Sequence, residues 1–270
     1  MPSATVRELA SDLRRLGVSP RGIVMVHASL RKIGPVEGRA EGVIQALEAA
    51  VGAEGTVLMT LGALDPMGWV GGLPESERAG ALAGSEPFDH MLTPADPDVG
   101  ALAEVFRRLP GTVAQDHPEG RFAARGRLAV QLLSDTPWND YYGPGSSLER
   151  LVENRGQILR LGADLDTVTA LHYAEYLSAV PNKRRVRRHR MVKGTAGPEV
   201  RAIECLDDSD GIVDYPGEDY FAAILSAYLR SGRARTGKVG LADSELLDAA
   251  DIVRFGADWM NEHLGAGKRD

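Results

Sequence analysis

Two apolar runs, GIVMVHASL at 22–30 and GTVLMTLGA at 55–63, bracket the amphipathic segment EGVIQALEAAVG at 41–52. Runs this rich in β-branched residues suit strands covered on both faces, while the spacing between them is that of a helix. A strand, a helix and a strand in close succession make a βαβ unit, which requires parallel pairing and a right-handed crossover. The chain is therefore predicted to be an α/β protein, with a central, mainly parallel mixed sheet flanked by helices.

The remaining segments extend that pattern. SATVRELASDLRRLG (3–17) carries Val6, Leu9, Leu13 and Leu16 at helical spacing, with Gly17 placed to end the helix. VGALAEVFRRLP (99–110) and GRLAVQLLSD (126–135) read as helices, SLERLVENRG as a short helix and GQILRLGA (156–163) as a strand. Residues 166–179, 219–232 and 244–265 read as further helices, and KRRVRRHRMVKG with VRAIECL (200–206) as strand-like. Residues 62–98 carry many Gly, Pro and Asp and little periodicity, which marks an inserted lid or binding loop. The absence of repeats or convincing linkers favours a single domain over 1–270 with this insertion.

Composition narrows the partners. With 38 acidic against 31 basic residues the chain is acidic, which disfavours nucleic acid and suits a neutral or cationic ligand. Cys205 is the single cysteine, so no intramolecular disulfide can form. The N-terminal segment is charged and amphipathic, and no apolar run is long enough to span a bilayer; the reading is a soluble cytoplasmic protein without a membrane partner. Monomer and homodimer stand equally open.

The chemistry concentrates in DTVTALHYAE (166–175). Residues three apart share a helix face, so His172 and Glu175 can point into one cleft as a general base with an orienting carboxylate. The same spacing suits a packed histidine with a satisfied hydrogen bond, and the pattern alone leaves both open. HxxE lacks the second histidine of a zinc motif, so no metal is expected; His27 and His117 could join it only through the fold. There is no GxSxG elbow, and Cys205 lies in an apolar run, which favours direct transfer between two bound substrates. HASLRKIG (27–34) after the first strand and GPGSSLERL (143–151) offer backbone N–H groups to an anion, although capping by Ser146 or Ser147 explains the latter equally well. Acidic residues gather in loops, among them Asp65, Asp89, Asp164, Asp166, Asp214, Glu218 and Asp219. The basic run KRRVRRHR (183–190) reads as a solvated strand face.

Taken in order, VMVHASLRKIG, GAEGTVLM, EPFDHMLTPADPDVGALAEVFRRLP, the His117–Pro118 pair, SSLERLVENRGQILRLG and LDTVTALHYAE resemble the aminoglycoside 3-N-acetyltransferase family over nearly the whole chain. The resemblance implies the antibiotic acetyltransferase fold, distinct from that of the small N-acetyltransferase superfamily. It also implies transfer of acetyl from acetyl-CoA to the 3-amino group of a deoxystreptamine ring. His172 and Glu175 fall on the family's His-x-x-Glu, as base and orienting or substrate-holding carboxylate. Ala28, Ser29, Leu30, Arg31 and Ser147 would hold coenzyme A. Asp65, Asp89, Asp164, Asp166, Thr169, Glu175 and Glu218 would meet the polycationic antibiotic.

The chain departs from the family at ligand-facing places. Val168-Thr169 replaces Asn-Thr, Asp164 stands where Gly is common, EGR (119–121) replaces a Thr-x-Ser-like stretch, and the 62–86 insert lacks the aromatic- and acid-rich pattern. Two other readings keep the same residues: an acyltransferase for another amino sugar or biosynthetic amine, and a binder of coenzyme or antibiotic without turnover.

Overall fold

The computed structural model describes residues 3–63, 67–217 and 219–265. The chain begins with α1 (Val6–Leu16), β1 (Ile23–Ala28), α2 (Leu30–Ile33), α3 (Arg39–Val51) and β2 (Thr56–Thr60). The insertion carries α4 (Glu75–Leu82) between two short 3₁₀ turns, and α5 (Ala101–Arg108), β3 (Val113–Ala114), β4 (Phe122–Gly126) and α6 (Ala129–Leu133) follow. Then come α7 (Ser147–Glu153), β5 (Gln157–Leu161), α8 (Leu171–Leu177) and the hairpin β6 (Arg185–Gly194) and β7 (Gly197–Leu206). The chain closes with α9 (Tyr220–Arg230), β8 (Arg235–Val239), β9 (Ala242–Asp248) and α10 (Ala249–His263). Among the described residues no helix is long and apolar enough to cross a membrane.

The βαβ unit forms as its sequence dictates. β1 pairs in parallel with β2, from Ile23 opposite Thr56, and on its other side in parallel with β5. Antiparallel strands complete the sheet outward, giving the order β3-β4-β2-β1-β5-β9-β8. Alternation along β1 explains its unbroken apolar run. Ile23 and Met25 enter one core with Tyr142, Leu171 and Ile224, while Val24 and Val26 enter the other with Leu9, Leu13 and Leu47. The chain leaves β1 toward β2 on one side and returns as β5 on the other, so the carboxyl ends of β1 and β5 form the kind of switch point where α/β sheets place ligands.

Local signals set several element ends. Thr5 and Glu8 close a capping box on α1, and Gly17, at φ 112°, adopts the left-handed conformation that terminates it. Two helix starts differ from the sequence reading. Residues 244–248 are not helical but belong to β9, with Ser244 opposite Leu161 and Asp248 opposite Gln157. The run SELLD has helix-forming composition, but pairing with β5 overrides it, and the helix starts only where Asp248 accepts the N–H of Asp251. Likewise α8 starts at Leu171 rather than near 166. The fully buried guanidinium of Arg160 collects the carbonyls of Ala163, Asp164 and Thr167, so this stretch is held as a loop ahead of α8.

The β6–β7 hairpin stands apart from the main sheet as its own two-stranded sheet. The insertion reaches it through the Phe88 N–H, which donates to the Met191 carbonyl at 2.8 Å. Buried Arg121 fastens the insertion from the other side, donating to the carbonyls of Thr93 and Pro94 at 2.8 Å each and lying 5.2 Å over the Phe88 ring. Burial pulls this guanidinium down to about 10, which still leaves it charged at neutral pH.

Candidate active site

His172 occupies the second position of α8. Its Nδ1 lies 2.9 Å from Oε2 of Glu175, the i,i+3 contact a helix allows. Glu175 is only 1% exposed, and its other oxygen accepts the hydroxyl of Tyr220, which in turn accepts the Ile212 N–H at 3.1 Å. Both carboxylate oxygens are thereby fixed. With Nδ1–H donating to Glu175, Nε2 carries the lone pair, the tautomer a general base requires. The imidazole is held flat: it stacks on Tyr142 with centroids 4.9 Å apart and planes at 4°, and Phe221 meets it edge-on at 4.8 Å.

Electrostatics tune the ring. Burial works to lower the imidazole pKa, but the charge and hydrogen bond of Glu175, with Asp208 and Asp219 further off, outweigh it and hold the value above the ordinary 6.5. His27 and His117 are tuned the other way. Burial pulls buried His27 down to about 3, assisted by Arg160, and burial lowers His117, whose ring nitrogens face Trp138 and Glu119. Cys205 is buried, and its thiol is pushed up to about 12, chiefly by that burial, so it remains protonated. Among the described residues no three His, Cys, Asp or Glu side chains converge to hold a metal.

His172 and Glu175 open into a cleft of ≈ 450 Å³ whose wall includes Asp166, Asp208, Asp210, Asp219 and Tyr215. Several carboxylates around one imidazole favour a polycationic ligand. Of the residues singled out from sequence, the fold therefore brings together His172, Glu175, Asp166 and Asp219. Asp164 instead points to Lys32 at 2.8 Å in an exposed ion pair. Thr169 is half-buried, and its carbonyl accepts the His172 N–H at 3.1 Å, which supports the start of the helix. Asp89 lies in a different cavity, of ≈ 680 Å³ between the insertion and the hairpin, where its bond to Lys193 holds its carboxyl down to about 2. Asp65 and Glu218 lie outside the described residues.

The coenzyme candidates sit at the carboxyl end of β1. The Ser29 N–H donates to the Leu161 carbonyl at 2.9 Å, tying the ends of β1 and β5 together, and the Ser29 hydroxyl is not used as a helix cap. Ala28 and Leu30 are half-buried beside it, and Arg31 is exposed. Ser147 is different: it is fully buried, and its Oγ has no hydrogen-bond partner, so it offers no surface to a coenzyme. The capping hydroxyl is that of Ser146, which accepts the Glu149 N–H at 3.2 Å. Ser146→Ala is accordingly expected to destabilise the fold by about 1 kcal/mol, whereas Ser147→Ala, which deletes an unsatisfied buried hydroxyl, leaves stability unchanged or raises it. Urea unfolding of the two variants checks the order.

Sequence reasoning did not single out Tyr142, Asp208, Asp210, Tyr220 or Phe221. The aromatic loop TPWNDYYGPGSS and the run DDSDG were the visible signals, but the contacts to His172 and Glu175 cross 30 or more positions of chain.

Solved structures give the class. The protein solved as "AAC-IIIb binary with CoASH" superposes with a TM-score of 0.92 at 37% identity, over 99% of this chain and 100% of that one. "AAC-VIa bound to Sisomicin" superposes with a TM-score of 0.89 at 35% identity, over 98% and 100%. The fold is that of these antibiotic acetyltransferases, and the chain is an acyltransferase. Residues 25–261 match the profile of the aminoglycoside 3-N-acetyltransferase family. Aminoglycoside N(3)-acetyltransferase VII of Streptomyces paromomycinus is 39% identical over 97% of this chain and 93% of its own length. The chain belongs to the aminoglycoside 3-N-acetyltransferase family.

Proposed function

We propose that the chain transfers the acetyl group of acetyl-CoA to the 3-amino group of the deoxystreptamine ring of an aminoglycoside, in one direct step. The observation that carries this reading is the imidazole of His172, held by Glu175 with Nε2 directed to an acidic cleft. Family membership supplies the reaction, and relatives solved with coenzyme A and with sisomicin support both substrates. In the step, Nε2 takes a proton from the acceptor amine and the nitrogen attacks the thioester carbonyl. The carbon–sulfur bond then breaks, and the coenzyme leaves as its thiol with the proton returned. Asp166 and Asp210 hold the remaining ammonium groups of the drug, and the Ala28–Arg31 turn holds part of the coenzyme. Acetylation converts a cationic donor into a neutral amide, which weakens the drug's grip on RNA phosphates and yields resistance. The reaction is assigned to the cytoplasm.

Thiol release from acetyl-CoA, measured with a deoxystreptamine antibiotic, with a simple amino sugar and with no acceptor, tests the proposal. Release with the antibiotic alone is expected. Release with the amino sugar but not the antibiotic would move the acceptor to another amine, and no release with any acceptor would remove the transferase reading of this site.

A further inference from the structure

The basic strand β6 does not face solvent as a free row of charge. Arg184 pairs with Asp214 and approaches Asp207, Arg185 pairs with Asp140, and Arg187 faces Glu204. Arg188 differs in what it joins. One of its terminal nitrogens donates to Asp208 Oδ1 at 2.5 Å and to Ser209 Oγ at 2.8 Å, and the other donates to the Tyr141 hydroxyl at 2.8 Å. That hydroxyl in turn donates to Asp208 Oδ2 at 2.5 Å, so guanidinium, phenol and carboxylate form a closed ring of charge-assisted bonds. Asp208 and Ser209 are wall residues of the His172 cleft. Tyr141 packs edge-on against Tyr142 at 4.8 Å, and Tyr142 is the ring on which His172 lies. A single side chain from the hairpin thus touches both the acidic wall and the support of the aromatic shelf.

We propose that Arg188 is a positioning residue of the reaction, fixing the Asp208 wall and the Tyr141–Tyr142 shelf between which the His172 imidazole works. The inference rests on the acetyl-transfer reading for its kinetic arm only. The groups that face His172 are Glu175 from its own helix, Asp166 from the loop before it, Tyr142 from the aromatic loop, Asp208, Asp210 and Tyr215 from the segment after β7, and Asp219, Tyr220 and Phe221 at α9. Among these carboxylates Asp208 carries its own arginine at 2.5 Å and also bears on the imidazole charge. Removing the guanidinium leaves that carboxylate unneutralised, which favours the imidazolium and raises the titration midpoint of His172. Removing the carboxylate does the reverse.

The test is an NMR titration of the His172 ring in wild type, Arg188→Met, Arg188→Lys and Asp208→Asn, with the pH dependence of kcat/KM alongside. Arg188→Met is expected to move the midpoint up by roughly half a pH unit and Asp208→Asn down by a similar amount, with Arg188→Lys near wild type because the charge is kept. A kcat/KM loss on the order of tenfold should accompany Arg188→Met, since the shelf is no longer fixed. Midpoints that stay at the wild-type value in both Asp208→Asn and Arg188→Met overturn the inference. If Arg188→Met does not fold, Arg188→Gln, which removes the charge and keeps a polar side chain, is titrated in its place. The titration needs no turnover, so its outcome is separate from failure of the transfer reading, which absence of thiol release with every acceptor would signal.

Discussion

His172→Ala is expected to lower kcat for acetyl transfer by roughly 10²- to 10⁴-fold, while the affinity for acetyl-CoA stays within about twofold. The loss corresponds to about 3–5 kcal/mol of transition-state stabilisation at 1.36 kcal/mol per tenfold. The geometry dictates the split. The imidazole offers Nε2 to the cleft and makes its hydrogen bond inward, to Glu175, so its deletion removes a proton acceptor without removing a coenzyme contact at the β1 end. Isothermal titration with the coenzyme and steady-state kinetics on the same preparation measure both quantities. An equal loss of coenzyme affinity would make His172 a binding residue instead.

Glu175→Gln is expected to cost roughly 10²- to 10³-fold in kcat/KM although it changes one atom. The carboxylate accepts from two donors, His172 Nδ1–H and the Tyr220 hydroxyl, in a site 1% exposed. A carboxamide can satisfy Tyr220 with its oxygen, but its NH₂ group then faces Nδ1. The imidazole must turn that nitrogen into an acceptor, which places the proton on Nε2 and abolishes the base. The pH profile should move as well. On the proposed mechanism His172 acts only when neutral, above its raised pKa, so wild-type activity is expected to fall as pH drops through a midpoint above 6.5. Without the Glu175 charge, burial acts against the imidazolium with less opposition, and the acid limb shifts to lower pH while its plateau falls. An acid limb that moves upward in this variant would contradict the assignment.

Much of the architecture could be read from local chemistry, because β1, β2, α3 and β5 bury what their sequences make apolar. The His172–Glu175 contact was legible for the same reason: a helix places i and i+3 together whatever surrounds it. Long-range facts were not legible. SELLD became a strand because β5, more than 80 positions earlier, supplies its hydrogen bonds. Glu175 acquires Tyr220 from a helix 45 positions later, and no pattern within either segment announces that bond. The arginines of β6 looked like a solvated face because their acids, Asp140 and Asp208 among them, lie in other loops of the sequence. Asp89 and Asp164 resembled Asp166 as loop acids, and only the fold separates them, giving each a lysine of its own.

Those separations also bear on the acceptor. With Asp164 engaged by Lys32 and Asp208 by Arg188, the cleft carboxylates that have no basic side-chain partner among the described residues are Asp166 and Asp210, beside the cap residue Asp219. A polycation that contacts this wall meets fewer unneutralised charges than the number of acidic residues suggests.

The central claim is that His172 removes the proton from the acceptor amine. Its most direct test compares the titration midpoint of the His172 ring in the resting protein, read by NMR, with the midpoint of the acid limb of kcat/KM for the aminoglycoside. The two should coincide above pH 6.5. A ring that titrates away from the kinetic limb, or that remains neutral throughout it, would contradict the account and assign the proton transfer to another group.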